Sequence, residues 1–371
     1  VVAVPARLDS LVSTLYPGAR VERVTSLGPD AGEGEAGKAE GYGIPVRITA
    51  RLADGGARDL VFRTLAPNPF GHDRRADRAD GLLLAWDQFR GTPDHVRAMD
   101  VGAIAADGRC VSLRETGEFY LVTEWADGLP YAEDLRRVCR AERCTPLDRS
   151  RAEAMARWLA ALHADRLEDA DRWRRVVRDL LGHGEGIFGM VDGYPADAPG
   201  APPARLRAIE ERCLAWRWRL RERRRRLARI HGDFHPFNVL FPHPGSGVDP
   251  LRFKLLDASR GGVGDPADDL TAMAINYVFF AVEHPGAWRA GLGPLWRTFL
   301  EAYLSAADDE EVHETAPPFL AWRGLVVASP RFYPGLSASA RDAILCFVER
   351  VLDRGFLSVD DADEVLGGSD P

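Results

Sequence analysis

Lysine is almost missing from this 371-residue chain. It stands only at Lys38 and Lys254, so nearly all of the 48 basic residues are arginine. A lysine that grips phosphate from a strand therefore has few candidates. Cysteine is sparse too. Cys110, Cys139, Cys144, Cys213 and Cys346 are scattered without any C-x-x-C pair, which implies neither a zinc site nor a disulfide framework and makes a reducing cytoplasm the default location. No charged-then-apolar start reads as a signal peptide, and Val1 in place of Met implies that a few residues were trimmed. The longest apolar run, Leu270 to Val282, is broken by Thr271 and Asn276 and is too short to cross a bilayer. A net charge of -8 argues against a general nucleic-acid binder. What the chain does have is core material. Its 46% hydrophobic and 28% charged residues are the proportions of a soluble globular protein, and its length suggests two or three lobes.

The first third reads as strand-rich. Pro45 to Leu52 alternates apolar and polar residues, turns at Asp54-Gly55-Gly56, and returns over Asp59 to Leu65. Asp77 to Phe89 reads as a helix with apolar Leu83, Leu84 and Trp86, stopped by Gly91-Thr92-Pro93. Val101 to Ile104, Cys110 to Leu113 and Phe119 to Thr123 read as short strands. After Trp125-Ala126-Asp127-Gly128 the pattern becomes helical. Helices are expected over Arg149 to His163, Arg205 to Ile230, Asp269 to Val282, Leu295 to Ala307 and Ala343 to Leu352. Strands followed by helices indicate an α+β, bilobal arrangement, with lobes over residues 1–124 and 125–371.

One stretch carries chemistry. His231-Gly232-Asp233-Phe234-His235-Pro236-Phe237-Asn238 precedes a short strand, Val239 to Phe241. Phe253 to Asp257 is the strand expected to pair with it. An Asp with an Asn five positions later and a second Asp at a strand end is the working set of a kinase-type phosphotransferase. Asp233 would orient and deprotonate a hydroxyl. Asn238 and Asp257, at neighbouring ends of one hairpin, suit magnesium, which takes few protein oxygens beside substrate phosphates. Asp and Asn also favour turns for their own sake. The partner Asp257 and the further cluster Asp265-Pro266-Ala267-Asp268-Asp269 tip the reading toward chemistry.

These residues, with Gly264-Asp265-Pro266-x-x-Asp269-Leu270, resemble the aminoglycoside phosphotransferase and choline kinase superfamily. Arg149 to His163 is similar to that family's helix before the catalytic loop, and Phe119 to Gly128 resembles its interlobe hinge. The resemblance implies a protein-kinase-like fold binding ATP and Mg2+. It implies Asp233 as base, His235 supporting the loop, and Asn238 and Asp257 as magnesium ligands. Asp269 would tie the loop to the following helix. The backbone of Glu124, Trp125 and Ala126 would meet the adenine edge.

The nucleotide-gripping half departs from that pattern. Where the family has a strand Lys, this chain offers Arg63, either a bidentate phosphate clamp or an ordinary surface residue. The following helix lacks Glu, leaving Asp77, Asp80 or Asp87 to pair with Arg63. The glycine-rich stretch Gly28 to Lys38 would let backbone approach phosphate, but Glu33 and Glu35 oppose this, and a linker is the alternative. Its G-x-x-x-x-G-K spacing lacks the following Ser or Thr, so a P-loop is not implied. The run Arg217 to Arg229 with Trp216 and Trp218 offers a nucleic-acid or membrane surface, or else a solvated helix packed through Leu214, Trp218 and Leu227. Asp308 to Glu311 suggests a cationic, aminoglycoside-like acceptor, or again a solvated face. The expected function is phosphoryl transfer from ATP to a small-molecule hydroxyl on an antibiotic, sugar or amino alcohol, in metabolism or antibiotic resistance. The alternative is a nucleotide-binding scaffold with little or no transfer.

Overall fold

In a computed structural model the described residues are 8–27, 43, 45–89 and 91–366. The glycine-rich stretch from Gly28, including its G-x-x-x-x-G-K match, lies outside them. The chain divides into two compact units, Val1–Thr123 and Glu124–Pro371.

The first unit begins with α1 (Leu8–Leu15) and continues through β1 (Arg20–Ser26), β2 (Val46–Arg51) and β3 (Ala57–Phe62). These three strands form an antiparallel sheet in the order β1-β2-β3. Alternation along β2 turns Val46, Ile48 and Ala50 inward, where Leu8 and Val12 of α1 cover them. The hairpin between β2 and β3 turns through Gly55, whose positive φ of 86° suits glycine. Next come α2 (Arg75–Phe89) and the small antiparallel pair β4 (Gly102–Ile104) and β5 (Cys110–Ser112). Phe119 to Thr123, expected as a strand, is irregular chain with no assigned strand partner among the described residues. Strand propensity alone does not make a ladder.

The second unit is mainly helical. It opens with β6 (Leu129–Pro130), α3 (Tyr131–Ala141), α4 (Pro146–His163), α5 (Ala170–Gly182), α6 (Ile187–Asp192) and α7 (Pro203–Arg221). Then follow β7 (Ala228–Arg229), β8 (Val239–Phe241), β9 (Lys254–Leu255), β10 (Val263–Gly264) and α8 (Pro266–Val282). It closes with α9 (Gly293–Ala307), α10 (Val312–Val327), α11 (Ala338–Arg354) and α12 (Asp361–Leu366). The expected α+β organisation is therefore present: a strand-rich N-terminal region and a mainly helical C-terminal part. One aromatic-rich core, including Tyr131, Trp173, Tyr277, Trp296, Phe299 and Phe319, holds the helices together. The start of α4 shows why sequence dictates its boundary. Thr145 caps the Asp148 amide, and the Asp148 side chain returns to the Thr145 amide, with Pro146 in the first turn.

The arginine-rich run corrects one expectation. The helix does not continue to Ile230 but ends at Arg221, and Arg224–Arg226 forms a single 3-10 turn before β7. Nor do Leu214 and Trp218 pack inward: both are exposed, while Leu206, Ile209, Cys213, Trp216 and Leu220 form the buried stripe. Their spacing of three and four residues is the true helical face. Trp218 lies between the guanidinium groups of Arg217 and Arg221, each 5.2 Å from its ring.

The helix ends because Arg226 turns into the protein. Its Nε and Nη2 donate to the two oxygens of Asp265 at 2.8 and 2.9 Å, and its Nη1 donates to Asp309 at 2.6 Å. Asp265 also caps α8 through the Ala267 amide. The acidic run beyond α9 is thus occupied internally, with Glu311 paired to Arg223 and Arg225 as well. Removing Arg226 would leave the buried Asp265 carboxylate without a cation and Asp309 with Arg166 alone. Arg226→Met is expected to lower stability by about 3–5 kcal/mol, measured by denaturant unfolding. An unchanged midpoint would contradict the reading of this network as a buried charge triad.

Candidate active site

The loop between β7 and β8 is held from below by one carboxylate. Asp269 of α8 accepts the His231 amide at 2.6 Å through Oδ2 and the Gly232 amide at 2.8 Å through Oδ1. His163, at the end of α4, lies 3.2 Å from the same Oδ2 and 2.8 Å from the Tyr303 hydroxyl of α9. Asp269, His163 and Tyr303 are all buried, so these groups satisfy one another rather than water. Gly232 adopts φ 87°, and a Cβ there would come within 2.7 Å of the Gly261 carbonyl. Both the turn and the close approach require glycine.

This frame presents Asp233, which is only 8% exposed. Its Oδ1 accepts a hydrogen bond from Arg323 Nη1 at 2.7 Å. Its Oδ2 faces His235 Nε2 and Arg260 Nε, each at 3.5 Å. The His235 ring is oriented by the Phe237 amide, which donates to Nδ1 at 3.2 Å and so leaves the ring proton on Nε2, toward Asp233. Burial alone would raise the Asp233 carboxyl. The polar contact with His235 and the Arg323 and Arg260 charges outweigh it and hold the group well below the usual carboxylate range. The site therefore keeps a buried carboxylate ionised throughout the physiological range.

Asn238 closes the same turn. Its Nδ2 donates to the Asp233 carbonyl at 3.0 Å, which leaves Oδ1 as the side chain's remaining acceptor. Pairing of Val239 with Leu255, and the Leu256 amide donating to the Asn238 carbonyl at 2.9 Å, bring Asp257 beside Asn238. Asp257 is exposed, with φ 47°, a left-handed conformation that Asp tolerates better than most residues. Its Oδ1 accepts the Ser259 amide at 3.2 Å. Two oxygen donors on adjoining strand ends suit a hard cation that keeps most of its shell for phosphate and water. Among the described residues no cluster of three His, Cys, Asp or Glu side chains forms a self-sufficient metal cage.

The remaining sequence candidates lie elsewhere in the chain. Arg63 lies one residue past the end of β3, exposed, its guanidinium 5.4 Å from the Phe89 ring centre. Asp77 accepts the Arg74 amide at 2.8 Å near the start of α2, and Asp80 is exposed one turn on. Glu124, Trp125 and Ala126 lie in irregular chain just before β6, with Trp125 88% exposed. Arg260 and Arg323, which also face Asp233, carry no local signal in the sequence, and Asp268 stood there only as a member of the acidic cluster.

Residues 108–313, more than half of the chain, match the phosphotransferase enzyme family known as APH. The chain belongs to that family. It is accordingly a phosphotransferase enzyme. No curated protein matches the chain significantly. Among solved structures it is similar to a glucosamine kinase in complex with glucosamine, ADP and inorganic phosphate, at 17% identity, covering 93% of this chain and 99% of that one, TM-score 0.44. It is also similar to the choline kinase LicA from Streptococcus pneumoniae, at 13% identity over 94% of this chain and 98% of that one, TM-score 0.33. A third is an aminoglycoside phosphotransferase from Streptomyces rimosus, at 17% identity over 75% and 89%, TM-score 0.34. No helix among the described residues is long and apolar enough to cross a membrane.

Asp268 of this family member carries a testable charge signature. Burial raises its carboxyl, Arg323 opposes, the Asp269 charge adds, and the result is pushed up to about 6. A carboxyl that binds its proton more tightly when folded loses stability as pH rises from its unfolded value, about 4, through its folded one. The stability of Asp268→Asn relative to the native chain should therefore improve between about pH 4 and pH 6. Denaturant unfolding across that window checks it, and a pH-independent difference would contradict it.

Proposed function

We propose that this phosphotransferase moves the γ-phosphoryl group of ATP to a hydroxyl of a small molecule, with Asp233 as the group that orients the hydroxyl and takes its proton. The observation that carries the reading is a buried, ionised carboxylate set at a rigid turn, followed by two oxygen donors on adjoining strand ends. The acceptor oxygen would form its bond to the γ-phosphorus as the bond to the bridging oxygen of ADP breaks, and Asp233 would receive the hydroxyl proton. A carboxylate held this acidic is a weak base. That fits a loose phosphoryl-transfer transition state, where alignment and charge neutralisation matter more than early deprotonation.

Asn238 and Asp257 would hold magnesium, which when bound neutralises the nucleotide phosphates. Residues 1–124 would be the nucleotide lobe and 125–371 the lobe of catalysis and acceptor binding. Arg63 would contact phosphate, with Asp77 or Asp80 balancing its charge. The backbone of Glu124 to Ala126 would meet adenine, and His235 would support Asp233. ADP and an ATP analogue in the structures of similar kinases support the nucleotide assignment.

Aromatic rings close to Asp233 and His235 would line the acceptor side. Tyr333 packs 4.6 Å from Phe279, and its hydroxyl is raised by burial and by the charge of Asp233. Phe237 stacks against Phe280. A sugar or amino alcohol presenting one apolar face and a free hydroxyl fits such a wall better than a fully charged molecule. Asp308 to Glu311 no longer argue for a polycation, since Asp309 and Glu311 serve Arg226, Arg166, Arg223 and Arg225.

A screen of ADP release over alcohols, amino sugars and nucleosides should reveal at least one acceptor. Asp233→Asn should then reduce turnover by about 10²–10⁴-fold while calorimetry shows magnesium-ATP still bound. Undiminished transfer would sink the assignment, and binding without transfer to any acceptor would favour a nucleotide-binding scaffold. Arg63→Ala should raise the KM for ATP with little change in kcat. An unchanged KM would return Arg63 to the ordinary surface.

A further inference from the structure

The catalytic loop is also gripped from above, by a side chain 90 residues further along. Arg323 lies in α10 and is 5% exposed. Its Nη1 donates to Asp233 Oδ1 at 2.7 Å, while its Nη2 donates to the Gly232 carbonyl at 2.9 Å and to Asp268 Oδ1 at 2.6 Å. The guanidinium plane rests on the Trp322 ring, 3.9 Å from its centre. One rigid fork thus spans the backbone of one residue and the side chain of the next, and a carboxylate on α8 holds that fork in place. A lysine ammonium, a single flexible point charge, cannot reproduce this.

The grip makes the two oxygens of Asp233 unequal. Oδ1 is committed to a short, charge-assisted hydrogen bond. Among the described residues Oδ2 faces only His235 and Arg260, both at 3.5 Å, beyond the length of a good hydrogen bond. We propose that Arg323 is a positioning residue for phosphoryl transfer: by fixing Oδ1 and the Gly232 carbonyl together it holds Asp233 in one orientation and leaves Oδ2 to receive the acceptor hydroxyl. Asp268 anchors the fork. The inference rests on the reading of Asp233 as the hydroxyl-orienting group.

Three variants separate the two claims. Arg323→Lys keeps the charge but loses the fork, Asp268→Asn loosens the anchor, and Asp233→Asn tests the underlying reading. The readouts are kcat and KM for ATP, from ADP release with glucosamine, choline and water as alternative acceptors, together with a crystal structure of each variant. Arg323→Lys is expected to lower kcat by about 100-fold, the effect of misplacing a reacting group by about 1 Å, with KM for ATP little changed. Asp268→Asn should lose less. The Asp233→Asn, Arg323→Lys double variant should be no slower than Asp233→Asn alone, since both act through one carboxylate. In the Arg323→Lys crystal structure the Asp233 carboxylate should have turned.

Wild-type kcat, an unmoved Asp233 carboxylate, or a further loss in the double variant would each overturn the proposal. Full transfer by Asp233→Asn would instead remove the reading beneath it. Should Arg323→Lys fail to fold, Arg323→Gln and Asp268→Asn decide: unchanged kcat although the guanidinium no longer holds Asp233 Oδ1 is then the contrary result. If none of the three acceptors turns over, the orientation of Asp233 in the crystal structures decides alone.

Discussion

Two consecutive backbone amides, of His231 and Gly232, donate to one buried carboxylate, Asp269. The carbonyl of Gly232 then accepts from the guanidinium of Arg323, which also takes Asp233 Oδ1. A few residues of loop are thus held from α8 by a negative group and from α10 by a positive one. Neither hold is replaceable by water, since the groups are buried and would otherwise carry unmet polar atoms. The position of Asp233 follows from these two holds. Its ionisation follows as well, because Arg323, Arg260 and His235 all face it.

Arginine does the work throughout this unit, in keeping with a chain that has almost no lysine. Arg226 bridges Asp265 and Asp309, Arg151 reaches Asp134 at 2.6 Å, and Arg323 bridges Asp233 and Asp268. Each uses more than one donor or stacks on a ring, geometries a point charge does not offer. Buried pairs of this kind do more to specify one arrangement than to add net stability. Asp265 caps α8 and Asp269 lies in its first turn, so the Arg226 triad and the catalytic-loop anchor are fixed by the same end of one helix.

The catalytic loop was legible because its signals are local. Gly232, Asp233 and Asn238 sit at fixed offsets in a single turn, and a short hairpin brings Asp257 alongside. Of the second unit's described α-helices, α4, α7, α8, α9 and α11 were legible from their apolar period, while α3, α5, α6, α10 and α12 were not. Arg323 was not, since nothing near it in sequence marks it and α10 carries Pro317 and Pro318, which read as helix breakers. The end of α7 was misplaced for a related reason: Arg224 to Arg226 look like three more solvated helical positions until the distant Asp265 and Asp309 draw Arg226 inward. The inward face of α7 was read two residues out of phase, through Trp218 rather than Trp216, because both tryptophans fit a helix and only packing distinguishes them. Phe119 to Thr123 has the composition of a strand but no neighbouring edge assigned to it.

The most direct test of the central claim is a crystal structure with a magnesium-bound ATP analogue and an acceptor found by the substrate screen. The account predicts the reacting hydroxyl within hydrogen-bond distance of Asp233 Oδ2 and in line with the γ-phosphorus, while Oδ1 remains on Arg323. A hydroxyl placed against a different carboxylate, or an Arg323 that has left Asp233 to hold phosphate, would contradict it.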